Sequence, residues 1–140
     1  VRAKEISMES REALLLGSLL AGMAISETRV TIPHYLGYSF TIYKDIPHGR
    51  ANGMIMPAFL DFNLKKSDSP KVRKMFEYSG FRDLQHLSDV LGALCGPPPV
   101  CSENEFEHYI DKTMPEKGMA NNLVTPTRED LCEILKKTLQ

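Results

Sequence analysis

The chain has 140 residues, 42% of them hydrophobic and 25% charged, the profile of one ordinary globular domain able to bury roughly 68–70% of its unfolded surface. Seventeen basic residues against eighteen acidic ones leave a net charge of -1. That balance excludes the basic footprint of a nucleic-acid-binding protein and the charge excess of a disordered acidic tail. Three cysteines are too few for a disulfide framework, and the spacing Cys95-x5-Cys101 is not that of a zinc ribbon. A reducing, cytoplasmic setting is the expectation. The N-terminus starts at Val1 without a charged leader and cleavage site. The longest uncharged run, residues 13–26, spans 14 residues, against the about 20 that cross a bilayer. The expectation is a buried helix with no membrane partner.

Residues 2–25 read as one long helix. Leu14, Leu15, Leu16, Leu19, Leu20 and Met23 fall on more than one face, which predicts burial nearly all round. Gly17, Ser18, Ala21 and Gly22 are small and suit close helix packing; with no strand before them, they do not form a phosphate loop. The β-branched run Val30-Thr31-Ile32 breaks the pattern. Pro33 then suits a first helical position, where its missing N–H costs nothing, and opens a short helix to about Tyr38 or beyond. Asp45-Ile46-Pro47-His48-Gly49 reads as a turn. Residues 50–62 form a second strongly apolar stretch, which Pro57 should kink or divide.

From Ser67 the chain becomes amphipathic. Ser69-Pro70 predicts an N-cap and first position, opening a helix that Gly80 ends. Residues 83–94 predict another helix, stopped by Gly96 and three prolines. Ser102 with Glu105, and Thr127 with Asp130, have the spacing of capping boxes. They open helices to about Thr113 and over residues 128–139. The sum is an all-α multi-helix bundle of five to seven helices.

Four histidines are the first candidates for chemistry. His86 and His108 lie on amphipathic helices among charges and read as surface residues. His34 and His48 each follow a proline in apolar sequence. A buried imidazole there needs a hydrogen-bond partner or a metal, because an unpaired buried polar group costs about 1–3 kcal/mol. Two ligands do not complete a metal site.

The stretch Pro33-His34-Tyr35-Leu36-Gly37-Tyr38, followed by Ile46-Pro47-His48-Gly49-Arg50-Ala51-Asn52, resembles the iron-containing (metal-dependent, group III) alcohol dehydrogenase family. In that family a buried helix ending in Leu-Ala-Gly-x-Ala precedes a His, and a second His follows fourteen residues later in a Pro-His-Gly turn. Here Leu20-Ala21-Gly22-Met23-Ala24 precedes His34, and His48 stands fourteen residues on. Gly53-Met54-Ile55-Met56-Pro57 matches the family's apolar run closing in Pro. Asn121-Asn122 and Thr127-Arg128-Glu129-Asp130-Leu131 look like a variant of its tail.

The resemblance implies that residues 1–140 are a single helical domain, like the C-terminal metal-binding domain of a dehydroquinate synthase-like fold. It also implies one divalent ion, Fe²⁺ or Zn²⁺, held by an Asp and three His, two of which match His34 and His48. The other two ligands come from an Asp-x3-His helix further upstream. This chain begins 33 residues before His34, and neither that helix nor the family's Gly-rich nucleotide-binding domain is expected within it. The implied activity interconverts a primary or secondary alcohol and an aldehyde or ketone. The metal acts as Lewis acid and NAD or NADP, held mainly by the other domain, carries the hydride. By itself the chain is expected to show no dehydrogenase activity.

Tyr38 stands where many members have another His, and is the candidate catalytic residue; it lines the substrate pocket, donates a hydrogen bond, or simply packs. Arg29 and Thr31 replace common loop glycines. Asp45 is a candidate acceptor for His48 or merely a turn residue, and Arg50 an anion contact or a surface ion pair. Asp61 or Glu107 would join the histidines only in a hydrolytic site. Self-association through the apolar first helix is expected. The alternative from another class is a stand-alone helical interaction module with structural histidines, its seven methionines adapting a groove to partners.

Overall fold

The computed structural model describes residues 6–140. Among these, seven α-helices and one 3₁₀ turn form the chain, with no strand. They are α1 (Met8–Thr28), α2 (Ile32–Lys44), α3 (His48–Lys66), α4 (Lys71–Ser79), α5 (Leu84–Cys95), α6 (Glu103–Thr113), the 3₁₀ turn Lys117–Asn121 and α7 (Arg128–Thr138). No single helix among them is long and apolar enough to cross a membrane.

The central element is α3, which buries two faces. Ala51, Ile55, Ala58 and Phe62 recur at helical spacing and enter the larger core. There they meet Ile32, Leu36 and Phe40 of α2, Tyr109 and Ile110 of α6, and Leu131, Ile134 and Leu135 of α7. Leu60 turns the other way and packs with Val72 of α4 and Leu87 of α5. At about 25 cal/mol per Å² of apolar surface, these stripes supply the driving force for the bundle. Gly53 lets α5 come close: a Cβ there would lie 2.6 Å from Cys95 Sγ.

Local signals set most helix ends. The Ser102–Glu105 and Thr127–Asp130 capping boxes both form. The Asp83 side chain caps α5 by accepting from the His86 N–H at 2.7 Å. Gly80 ends α4 with φ 75°, in the left-handed region that glycine adopts without a Cβ clash. Helix α4 begins one residue later than predicted. Pro70 is its N-cap, and Ser69 Oγ accepts from the Lys71 N–H at 3.4 Å.

Two expectations need correction. The first concerns the N-terminal helix: residues 2–5 of the predicted span lie outside the described residues, and α1 itself has no buried residue. Leu15 is 73% exposed and Leu19 59%. Apolar residues on every face need neighbours on every face, and no described element covers α1. The helix also runs past Ile25 to Thr28, where Arg29 with φ 63° ends it, and α2 leaves at a bend of 109°. Helix α2 runs beyond Tyr38, as the sequence allowed, and reaches Lys44 with Phe40 joining the core. The second concerns Pro57: of the kink or division expected there, the division does not occur, and α3 continues through it. Core residues on either side, Ile55 and Ala58, hold the helix together across the missing N–H.

Candidate functional site

The His34–His48 pair is assembled by the α2–α3 corner. Asp45 takes the left-handed conformation (φ 53°) and its N–H bonds back to Phe40, which stops α2. Buried Ile46 follows, then Pro47 as the N-cap of α3, so His48 is the first residue of that helix. The thirteen residues between the two histidines therefore hold most of α2 and one tight turn. This folds His48 back onto His34.

His34 Nδ1 and His48 Nε2 lie 3.1 Å apart, with both side chains half-buried. Asn52, one turn after His48 on α3, brings Nδ2 to 3.1 Å from His48 Nε2 and 3.4 Å from His34 Nδ1. Its Oδ1 is buried without a hydrogen-bond partner and lies against Gly37, where a Cβ would come within 2.2 Å. Gly37 is thus the residue that lets the amide reach the pair. On the far side of His48, Thr41 Oγ1 lies 3.5 Å from Nδ1 and donates to the Gly37 carbonyl at 3.0 Å. The Tyr38 ring stacks on the His48 ring, 4.9 Å between centroids and 11° from parallel. Burial, with the nearby His48 adding to it, pushes the His34 imidazole below its ordinary value. Both effects favour a neutral ring, whose nitrogen lone pair is available.

The helix carrying His34 is anchored from the far end of the chain. Thr31 makes no side-chain cap for α2. Instead Asn122 Oδ1 accepts from the Ile32 N–H at 3.3 Å, while its Nδ2 donates to the Met119 carbonyl at 2.8 Å. The Tyr35 ring closes over Gly118, where a Cβ would lie 1.8 Å from the phenol oxygen. Sequence reasoning placed Asn122 only in a family-like tail. Its role forms across 90 positions, and no local pattern announces it.

The other candidates are engaged elsewhere. Asp45 is exposed and ends α2, so it is a turn residue, while Thr41 takes the contact with His48. Arg50 donates to the carbonyls of Cys95, the last residue of α5, and of Pro97, and among the described residues it forms no ion pair. Asp61 binds Lys65 and Lys137, and Glu107 binds Arg128. Neither joins the histidines. Exposed His108 meets the Tyr43 hydroxyl at 3.1 Å, and His86 Nδ1 accepts from the Arg82 N–H. Tyr38 is 44% exposed, so it is not a core residue. Among the described residues, no three or more His, Cys, Asp or Glu side chains form a group that could hold a metal ion. His34 and His48 contribute two donors and no third of these types.

The sequence model described as Fe-containing alcohol dehydrogenase family, C-terminal, matches residues 2–95. The chain belongs to the iron-containing alcohol dehydrogenase family, and to its C-terminal part. A probable alcohol dehydrogenase EutG of Escherichia coli (strain K12) is 38% identical over 56 residues, 40% of this chain and 14% of the relative. An alcohol dehydrogenase of Thermococcus barophilus is 26% identical over 141 aligned positions, covering 92% of this chain and 36% of the relative. A 1,3-propanediol dehydrogenase of Klebsiella pneumoniae is 33% identical over 58 residues, 41% of this chain and 15% of the relative. The chain thus spans about a third or less of the length of these relatives. No solved structure gives a significant match.

Proposed function

We propose that this chain supplies two ligands, His34 and His48, to a divalent ion in an NAD(P)-dependent alcohol dehydrogenase. The observation that carries the reading is the 3.1 Å between His34 Nδ1 and His48 Nε2. Two nitrogens held about 2.0–2.1 Å from one ion stand roughly 2.8–3.4 Å apart, between octahedral and tetrahedral arrangements. Half-buried imidazoles are suitable donors for Fe²⁺ or Zn²⁺. The pair fits half a ligand set. The rest would come from a segment like that by which the relatives exceed this chain.

When bound, such an ion supplies Lewis acidity to an alcohol or aldehyde oxygen. This chain's residues do the holding. His34 and His48 present lone pairs, Asn52 abuts both rings, and Tyr38 shields one face of His48 while exposing its own ring to an incoming small alcohol or aldehyde. Hydride chemistry belongs to NAD or NADP, bound mainly outside this chain, so these 140 residues alone are inactive as a dehydrogenase. The exposed leucines of α1 support a second part of the reading. They need cover, and in the isolated chain a second copy provides it.

The test is calorimetric titration of Zn²⁺ and anaerobic Fe²⁺ into the chain, with His34→Ala and His48→Ala alongside. Weak binding lost in both variants is the expected result. Tight one-to-one binding would mean a complete site within these residues. No binding, with variants folding like the parent, would make the histidines structural and favour a helical interaction module.

A further inference from the structure

Thr41 Oγ1 has one hydrogen, and the Gly37 carbonyl takes it at 3.0 Å. Toward His48 Nδ1, 3.5 Å away, the hydroxyl therefore offers only a lone pair. The nitrogen that suits it is one carrying a proton. A neutral imidazole carries a single N–H, so His48 Nε2 is then bare. The opposite edge of the ring agrees. Nε2 faces the Asn52 amide nitrogen, a donor, at 3.1 Å. The other tautomer would let Nε2–H donate to His34 Nδ1 at 3.1 Å, but it would set N–H against N–H at Asn52 and leave Nδ1 facing a hydroxyl whose hydrogen is spent. The Tyr38 ring stacked at 11° lies against the plane of His48, and within that plane Nδ1 faces Thr41 Oγ1.

We infer that Thr41 is a positioning residue that holds His48 in its Nδ1–H tautomer, with the Nε2 lone pair directed at His34. The tautomer assignment stands on these contacts; its consequence for metal affinity rests on the reading of His48 as a ligand. Imidazole ligands generally donate their second N–H to an oxygen acceptor, and loss of that acceptor weakens metal binding roughly 10- to 100-fold. Thr41 is the acceptor on α2 for a ligand on α3, so the helix that carries His34 also sets the electronic state of His48.

The test is long-range proton–nitrogen NMR of the histidine-labelled chain above pH 8, with Zn²⁺ affinity measured in parallel. The parent should show His48 as the Nδ1–H form. Thr41→Val should lose that preference and bind Zn²⁺ roughly 10- to 100-fold more weakly, and Thr41→Ser should restore both. A parent chain with His48 in the Nε2–H form overturns the inference without any variant. So does a folded Thr41→Val that keeps the Nδ1–H signature. If Zn²⁺ fails to bind the parent while Thr41→Val still changes the tautomer, the positioning role holds and the ligand reading falls.

Discussion

At the scale of single residues, the corner between α2 and α3 depends on one missing side chain. A Cβ on Gly37 would sit 2.2 Å from Asn52 Oδ1. Gly37→Ala should push the amide off both imidazoles and destabilise the fold by roughly 1–3 kcal/mol, the usual cost of overpacking. Urea unfolding checks the stability, and histidine NMR shifts check the displacement. Asn122 acts at a distance through the Ile32 N–H. Asn122→Ala should leave that buried donor unpaired at a cost of about 1–2 kcal/mol, and should loosen hydrogen exchange at the start of α2. The pairing of His34 with His48 was legible in the sequence through the Pro-His-Gly turn and its surround. Thr41 and Asn122 were not, because their contacts exist only once α2 has packed on α3 and the 3₁₀ turn. Asp45, the acidic neighbour of His48 in the sequence, allowed either an acceptor or a turn role, and its left-handed backbone at the end of α2 makes it the turn residue.

At the scale of elements, the predicted caps and the predicted burial fared differently for a physical reason. A cap is a contact among residues three apart, so Ser102 with Glu105 and Thr127 with Asp130 carry their own instructions. Burial is a relation between one element and whatever lies beside it. The apolar content of α1 was read correctly from its leucines, and its environment was not, since Leu15, Leu16, Leu19 and Leu20 are all more than half exposed. A chain with such a helix should self-associate. Light scattering at rising concentration should show mass above that of a monomer, and Leu15→Lys with Leu19→Lys should reduce it. A parent that stays monomeric at high concentration would count against the second-copy reading.

For the whole molecule, acid should be the weak side of stability. The Lys44 ammonium and the Ser102 backbone and hydroxyl hold the Glu105 carboxyl at about 2. Burial raises Asp61, but the ammoniums of Lys137 and Lys65 together outweigh it and leave the carboxyl below its usual range. Asp130 is similar: burial raises it, and the Thr127 N–H with Lys66 brings it below. Carboxylates depressed in the folded state contribute stability above their unfolded values, near about 4. That contribution is lost as pH falls through the folded values. Urea midpoints should therefore hold from pH 7 to about 5 and decline toward pH 2. Glu105→Gln should flatten part of the decline, and added salt should weaken the effect at this partly exposed pair.

The bare flank of α1 has a thermodynamic signature. Heat capacity and urea sensitivity of unfolding both scale with the surface that unfolding newly wets. The apolar side chains of α1 are exposed before any unfolding begins, so they add little to either quantity. Calorimetry of the dilute chain should return the heat-capacity step of a protein noticeably shorter than 140 residues. Anything that lies down on α1 should enlarge that step and steepen the urea transition together, whether or not it moves the melting temperature. The unfolding curve thereby reports the occupancy of the α1 surface.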